Sequence, residues 1–402
     1  MLTFLAENRR WLATGLLLAF GSTFGQTYFI SLFAGEIRAD YGLSDGDWGL
    51  LYTLATLCSA LLLLGRGSWA DTVPLSRLAP LVALAFAGAA ALMAVGWSIW
   101  TLGLAVFLLR FCGQGMFSHI KMTAMARWFV ATRGRAMAIT NLGYPMGEVL
   151  MPLPFLVLMG LIGWRASWGV VALLILFVVL PLLVSLLAQD RAPRGMEASA
   201  GSPGRDGRHW TRAEVLRHWS FWALVPMLLT PGFIGTVIFF HQVHVSEVKG
   251  WALTAMAPAY PAYAAATVSM AFTAGWACDR FGPARLLPVM VLPMALGIWL
   301  VGPADTPSGW IVALGILGMT QGMSGAVWGT LLPWVYGTKN LGSVRALATA
   351  IMVLSTAIGP GITGLFIDWG VNFPRQGLAM GLWCLALSLA MIPVSLRLSR
   401  AA

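Results

Sequence analysis

The chain has little charge and little cysteine. Of its 402 residues, 10% are Asp, Glu, Lys or Arg and 58% are apolar, whereas about 25% of a typical soluble domain is charged. Such a chain cannot cover a water-facing globule, which excludes an ordinary soluble protein. The four cysteines are scattered without metal-ligand spacing, so we expect them to pack within helices and expect no metal site.

Several motifs that carry chemistry are also missing from the sequence. It has no GxxxxGK[ST] phosphate loop, no HExxH, and no serine–histidine pair placed at one membrane depth. The sequence therefore predicts no ATP-driven pump, no enzyme and no cofactor.

Long apolar segments dominate the chain. About 20 apolar residues cross the hydrocarbon core as a helix, and the continuous run Val170–Leu187 is incompatible with the alternating pattern of a β-barrel. The first stretch lacks a small-residue cleavage site and is predicted to be a retained helix. The sequence thus predicts an all-α membrane protein with twelve spans, numbered span 1 to span 12: 11–35, 47–64, 79–97, 99–122, 134–159, 165–188, 219–245, 253–277, 285–303, 308–333, 344–368 and 375–397.

The two halves of the chain repeat each other. Gln114-Gly-Met recurs at Gln321, and Arg135-Ala-Met-Ala recurs as Arg345-Ala-Leu-Ala. The offsets are 207 and 210 residues, about half of the chain. Parallel repeats of this kind are found in secondary transporters. We expect two pseudo-symmetric six-helix bundles, 1–188 and 219–402, joined by a linker, 189–218.

The basic residues are unevenly distributed. Twenty of the 25 Lys and Arg lie at the termini or in alternate loops, including the linker, while the opposite loops hold Arg38, Arg165, Lys249 and Arg375. By the positive-inside rule, both termini and the linker are predicted to be cytoplasmic. The linker is rich in Gly, Ser and Pro and is expected to be flexible, with a short amphipathic helix at Arg212–Arg217.

The loop between spans 8 and 9 contains a recognisable motif. Gly275 is followed by Asp279-Arg280-Phe-Gly282 and then by Arg285, six residues after the aspartate. This resembles the loop signature of the major facilitator superfamily and implies its fold of twelve helices in two bundles.

The equivalent loop of the first half keeps part of that signature. Gly67, Asp71 and Arg77 are present, but Thr72 and Pro74 replace the arginine and the glycine. By the resemblance, both loops carry gating ion pairs, and the residues expected to form them are Asp71, Arg77, Asp279, Arg280 and Arg285.

A weaker resemblance concerns the substrate. Arg133-Gly-Arg-Ala and Gly143-Tyr-Pro-Met-Gly are similar to the monocarboxylate and oxalate–formate porter branch. Those porters are expected to have an anion-binding cation on span 8, and residues 253–277 contain no Lys or Arg.

Two ionisable residues are predicted deep in the membrane, where charge costs about 2.5–3.5 kcal/mol and indicates function. Arg110 lies in the middle of span 4 and Glu148 in the middle of span 5. The two lie at similar depth, so we expect a contact between them. Either it is a permanent structural pair, or Glu148 carries a proton when Arg110 moves away. Lys121, near the end of span 4, is expected to extend its ammonium to the interface.

Polar stripes on the spans indicate a water-filled cavity. The resemblance implies that spans 1, 4, 7 and 10 line it, whereas the glutamines could instead form hydrogen bonds between helices. Tyr263 and the histidines His241 and His244 could equally be packing or interfacial residues. His241 is the second candidate for proton coupling. The predicted substrate-binding residues are Gln26, Arg110, Gln114, Asn141, Tyr263, Gln321 and Trp328.

The function that follows is secondary transport of a small organic solute. We expect an organic anion held by Arg110, coupling to protons, no nucleic-acid partner, a monomer, and residence in a bacterial cytoplasmic membrane. Proton-antiport efflux of amphipathic drugs or metabolites is the alternative. A non-transporting membrane sensor on the same fold is the third possibility.

Overall fold

Helices occupy all twelve predicted positions in the computed structural model, which describes residues 2–66, 69–129, 132–189, 204 and 206–400. Within these residues, nine helices are long and apolar enough to cross a membrane, and a bent pair would make ten. The nine are Asp45–Arg66, Leu75–Val95, Ile99–Trp128, Gly134–Ile162, Trp164–Leu187, Trp219–Phe240, Pro307–Tyr336, Leu341–Asp368 and Phe373–Ser399.

The other three spans are helical but interrupted. Span 1 is the bent pair, Phe4–Gly25 followed by Thr27–Tyr41 at an angle of 41°. Span 8 is formed by Leu253–Met256 and Ala259–Phe281, whose sequence is less apolar. Span 9 begins with a 3-10 turn, Pro283–Leu286, and continues as Leu292–Val301. The prediction of an all-α membrane protein is confirmed.

The chain forms two compact units, Met1–Ala198 and Ser199–Ala402. Their boundary lies within the predicted linker, and the finer division at 188 and 219 stays a prediction. In the first unit, span 1 packs against spans 4, 5 and 6. In the second, span 10 packs closely against spans 8 and 9, and span 7 against span 11.

The described part of the linker is packed against the second unit. The predicted helix Arg212–Arg217 is confirmed, and Thr211 and Glu214 cap its first turn reciprocally. Trp210 is buried, its backbone N–H donates to the Tyr336 carbonyl at 3.0 Å, and its backbone carbonyl accepts from the Asn340 side chain at 3.0 Å. Aromatic packing and backbone hydrogen bonds thus connect residues 206–218 to the second unit, and the flexibility predicted for the linker stays a prediction.

One end of the first unit is joined by polar contacts between its loops. Arg38 pairs with Asp45 at 2.7 Å, and Arg165 pairs with Asp40 at 3.2 Å. Arg165 also donates to the carbonyl of Gly96. These contacts join the connections that follow spans 1, 3 and 5. They stabilise the packing of the loops at this end of the bundle.

Candidate functional site

A break in span 1 creates the polar centre of the first unit. The backbone is extended at Gln26 (φ −84°, ψ 151°), so the N–H of Phe29 donates to the Gln26 carbonyl and not to that of Gly25. The Gly25 carbonyl is thereby released from the helical hydrogen-bond pattern. Nη1 of Arg110 donates to it at 3.0 Å.

Close backbone packing makes this contact possible. A Cβ placed on Gly25 would lie 2.3 Å from the Leu109 carbonyl oxygen and 2.8 Å from the Cα of Gly113. Only glycine allows spans 1 and 4 to approach this closely. Span 4 is π-helical from Arg110 to Phe117, a distortion that is frequent at functional sites.

The Arg110 side chain is buried, with 1% of its surface exposed, and lies over the ring of Tyr52 at 5.3 Å. The Tyr52 hydroxyl donates to Thr27 at 2.8 Å. Among the described residues, Nε and Nη2 of Arg110 have no hydrogen-bond partner, and Arg110 forms no ion pair. The site therefore holds a desolvated positive charge and two donor nitrogens without a hydrogen-bond partner among the described residues.

The predicted contact between Arg110 and Glu148 is wrong for this structure. Span 1 contacts both span 4 and span 5. A Cβ on Gly147, next to Glu148, would meet the hydroxyl oxygen of Thr23 in span 1. Arg110 instead contacts the Gly25 carbonyl of span 1 and the ring of Tyr52. Glu148 is half-buried and forms no ion pair with any residue in the described ranges.

A second cation is buried further along span 4. Lys121 is 2% exposed, so the expectation that it reaches the interface is wrong. Its Nζ donates to Asn141 Oδ1 at 2.6 Å and contacts the Tyr144 hydroxyl at 3.1 Å. The Tyr144 hydroxyl donates to Ser118 at 2.9 Å. Neutral groups from span 5 satisfy Lys121, and none of the ion pairs between described residues includes it.

The candidate residues of the first unit thus form two groups. Arg110 and the backbone N of Gln114 lie at Gly25, the neighbour of Gln26, where spans 1 and 4 cross, and the Gln26 amide donates to Ser22 at 3.3 Å. Asn141 joins Lys121 at the second position. Glu148 belongs to neither group.

The candidates of the second unit lie on spans 7, 8 and 10. Gln321 is exposed on span 10, and Trp328 on the same helix is buried, with 8% exposed. Tyr263 packs edge-on against Phe239 at 5.0 Å, within an aromatic cluster of spans 7 and 8. Its surroundings are those of a core residue.

His241 is buried and not at a water-facing surface. It is 2% exposed, and its Nε2 lies 2.7 Å from the Thr363 hydroxyl. That hydroxyl donates to the Gly359 carbonyl at 2.8 Å. Since a hydroxyl has a single proton, His241 must be the donor to Thr363. The histidine thereby joins spans 7 and 11.

The loop residues are only partly described. Arg77, Asp279, Arg280 and Arg285 are exposed, and none forms an ion pair with another described residue. The guanidinium of Arg280 lies over Trp276 at 6.0 Å. The side chain of Asp71 lies outside the described residues, so the gating role of both loops stays a prediction.

Sequence reasoning missed Tyr52, the partner of Arg110. A signal was present: Tyr52, Thr56 and Ser59 follow a spacing of four and three on span 2 and are all buried. The break at Gln26 has no comparable signal, because it arises from tertiary packing.

The comparisons with known proteins agree with this architecture. A bacterial homolog of the human lysosomal transporter Spinster, solved in an inward-facing, unoccupied conformation, has a TM-score of 0.68 at 18% identity, covering 98% of this chain and 95% of that one. The nucleoside transporter NupG has a TM-score of 0.70 at 11% identity, covering 96% and 98%. At these identities the likeness shows the fold alone.

A curated relative matches a shorter stretch. It is a multidrug resistance protein B homolog of Mycobacterium tuberculosis, 32% identical over 149 residues, which are 36% of this chain and 26% of the relative. The match thus spans about a quarter of that protein's length.

The family model described as Major Facilitator Superfamily matches residues 15–360. This range includes the Arg110 and Lys121 sites and both signature loops. The chain is an integral membrane protein that belongs to the major facilitator superfamily, a family of small-molecule transporters and not of enzymes.

Proposed function

We propose that this chain is a secondary active transporter that moves a small organic anion across a bacterial cytoplasmic membrane by alternating access. The observation that supports the proposal is the desolvated Arg110 guanidinium, whose Nε and Nη2 have no hydrogen-bond partner in the described structure. A buried charge without a counter-ion is costly, and an arginine fork fits a carboxylate. A substrate anion would supply the missing charge and accept both hydrogen bonds.

Lys121 supports the same substrate class. It is a second buried cation on span 4 whose hydrogen-bond partners are neutral. Two buried cations on one helix of the described unit, with no carboxylate paired to either, favour an anion over a cation as cargo. The residues predicted to contact the anion in the first unit are Arg110, Gln26 and Gln114. Asn141, also predicted to bind substrate, accepts a hydrogen bond from Lys121.

Proton coupling is assigned to Glu148. It is a half-buried carboxylate inside span 5 with no ion pair among the described residues. It is therefore free to take up and release a proton without breaking a salt bridge. His241 is the less suitable candidate, because it holds Thr363 between spans 7 and 11.

Efflux of amphipathic compounds is the second candidate function. Its support is the multidrug resistance protein B homolog, which is 32% identical over 149 residues. An amphipathic cation as cargo would have to avoid the charge of Arg110. An efflux pump for anionic amphipaths would satisfy both observations.

The test begins with a thermal-shift screen of purified protein against organic acids and amphipathic cations. Stabilising acids are then followed by counterflow in proteoliposomes. Arg110→Gln should lose the stabilisation and lower counterflow by about 10- to 100-fold, because it removes a hydrogen-bonded charge. Arg66→Gln, at an exposed cation of the same unit, is the control. Normal counterflow of an acid by a folded Arg110→Gln protein excludes the anion assignment.

The proposed orientation places both termini and the linker in the cytoplasm. It rests on the bias of basic residues between the two sets of loops. In a background lacking reactive cysteines, Asp305→Cys should react with impermeant thiol reagents in intact cells, whereas Arg212→Cys should react only after lysis. Both positions are exposed. The reverse labelling pattern contradicts this topology.

A further inference from the structure

The second unit contains a cavity unrelated to the Arg110 site. It has a volume of about 660 Å³ and opens between spans 7, 11 and 12. Most of its wall is aliphatic or aromatic, including Phe233, Ile358, Ile362, Phe366 and Met380.

The uncharged polar groups in the wall are already satisfied. The Thr230 hydroxyl donates to the Pro226 carbonyl and accepts from the Trp383 indole at 2.9 Å. The Gln376 amide donates to the carbonyls of Thr363 and Val371, both at 2.9 Å. The cavity therefore offers almost no hydrogen bonds to water, and its contents should be apolar.

The cavity opens at the surface of the helix bundle. Its lining residues Ile362, Phe366 and Trp383 are 43%, 41% and 52% exposed. Apolar side chains as exposed as these favour lipid over water as the surrounding medium in an integral membrane protein. Along span 11 the cavity extends from Ser355 to Phe366, 11 residues or about 16 Å. This is about half of the ~30 Å hydrocarbon core, the depth of one leaflet.

A positive charge lies at one end of the cavity. Arg375 is in the first turn of span 12, beside the turn that joins it to span 11, and it lines the cavity. It is exposed, and its side chain makes no hydrogen bond or ion pair with the residues described here.

The other basic residues of the same set of loops are all engaged. Arg38 pairs with Asp45, Arg165 pairs with Asp40, and Lys249 donates to the carbonyls of Gly302 and Ala304 at 2.6 and 2.8 Å. Arg375 thus differs from them in combining an unused guanidinium with an apolar cleft one leaflet deep. A guanidinium binds phosphate oxygens in pairs.

We propose that this cavity is a binding site for an anionic phospholipid. One acyl chain lies between spans 7, 11 and 12, and the headgroup phosphate contacts Arg375. The cleft supplies an apolar channel of the right depth, and Arg375 supplies the charge at the level where headgroups lie. The proposal depends on membrane insertion and not on the transported substrate.

Native mass spectrometry of the purified full chain can test the site. The probes are dioleoyl phosphatidylglycerol and dioleoyl phosphatidylcholine, supplied separately and in competition. Wild-type protein should retain phosphatidylglycerol at collision energies that remove phosphatidylcholine. Ala379→Phe places a ring in the cleft, because Ala379 lines it, and should abolish the retained lipid. Leu378→Phe is the matched control, since Leu378 is 55% exposed and does not line the cleft.

The headgroup contact is tested separately. Arg375→Gln should reduce the preference for phosphatidylglycerol by about fivefold, the effect of one charge at a membrane surface. Arg397→Gln, near the other end of span 12, should keep the preference. If Ala379→Phe retains the lipid, or if Leu378→Phe loses as much lipid, the assignment of the acyl chain to the cleft is wrong. An unchanged preference in Arg375→Gln overturns the headgroup assignment. If Ala379→Phe does not fold, Ala379→Leu should give a partial loss.

Discussion

The two units share a repeated sequence but differ in where they bury charge. At the offset of 207 residues that relates Gln114 to Gln321, Arg110 corresponds to Leu317 and Lys121 to Trp328. All four side chains are buried, with at most 8% exposed. The first unit therefore places two cations where the second places apolar side chains. The repeat fixes the helical scaffold, and substitution at equivalent buried positions gives one unit the polar site.

The same repeat shows a difference in helix packing. Gly115 and Gly322 correspond, and both face the second span of their unit. A Cβ on Gly322 would lie 2.1 Å from the Thr267 carbonyl oxygen, whereas one on Gly115 would meet nothing closer than the Arg110 carbonyl oxygen and a Leu63 methyl, both at 3.5 Å. Span 10 is thus packed against the backbone of span 8. Span 4 has its tightest contact with span 1 instead, and this contact brings the Gly25 carbonyl to Arg110.

The largest expected effect concerns Glu148, a carboxylate with no counterpart at the equivalent position of the second unit. Glu148 corresponds to Ile358 at the offset of 210 residues. In Glu148→Gln, accumulation driven by a pH gradient should collapse while exchange of substrate for substrate survives, because exchange needs no change of protonation. Thermal stability should be unchanged, since Glu148 has no ion pair in the described structure to lose.

Both fluxes can be measured on one proteoliposome preparation, with Glu36→Gln, an exposed carboxylate at the end of span 1, as the control. If Glu148→Gln still accumulates substrate in response to the pH difference, coupling lies elsewhere, and His241 becomes the next residue to test. If both fluxes fall together with stability, Glu148 has a structural role.

The second prediction uses the matched glycines. Gly322→Ala should lower the free energy of unfolding by about 1–3 kcal/mol, because the new methyl group forces the backbones of spans 8 and 10 apart. Gly115→Ala should change it by less than ~0.5 kcal/mol, because a methyl group fits there at an ordinary contact distance. Thermal unfolding of the purified variants distinguishes the two. Equal losses would show that the two crossings are equally tight.

The third prediction compares the corresponding residues Lys121 and Trp328. Lys121→Met keeps the length of the side chain and removes a buried charge that has neutral partners. Transport of an anion should fall by about tenfold, because the variant loses one charge-assisted hydrogen bond. Its thermal stability should be unchanged or higher, because a buried charge is removed. Trp328→Phe should alter transport much less, since the Trp328 indole N–H has no partner among the described residues. Unchanged anion transport in Lys121→Met would show that Lys121 does not contribute to substrate binding.

The sequence predicted the scaffold well because its evidence is periodic and repeated. Apolar length locates all twelve helical positions, and the repeat and the loop signature identify the superfamily. The partners of the charges could not be predicted in this way. Equal depth on adjacent spans suggested Arg110 with Glu148, but depth does not reveal that Arg110 contacts Tyr52 and the Gly25 carbonyl instead. Lys121 was placed near an interface by position alone, whereas Asn141 and Tyr144 keep it buried. Both errors concern lateral packing, which a single sequence does not encode locally.

The smallest expected effect lies in a segment for which the first unit has no described counterpart. Thr211 and Glu214 cap the linker helix reciprocally, and Thr211 N–H donates to Glu214 at 2.7 Å. That backbone hydrogen bond, then the Thr211 hydroxyl, lowers the pKa of Glu214. A lowered pKa means that the ionised carboxylate stabilises the helix at neutral pH. This contribution is lost as the pH falls through the lowered value.

Thr211→Ala should therefore destabilise the helix 212–217 locally, by about 1 kcal/mol, the usual contribution of an N-cap side chain. Faster amide hydrogen exchange in that peptide is the measurement, with transport and global unfolding unchanged. The control is Thr306→Ala, at an N-cap whose side chain makes no capping hydrogen bond. Wild-type exchange of the same peptide should approach that of Thr211→Ala as the solution is acidified below the usual range of glutamate. If acid has no such effect while Thr211→Ala does, the threonine hydroxyl alone caps the helix, and the linker is held by Trp210 independently of Glu214.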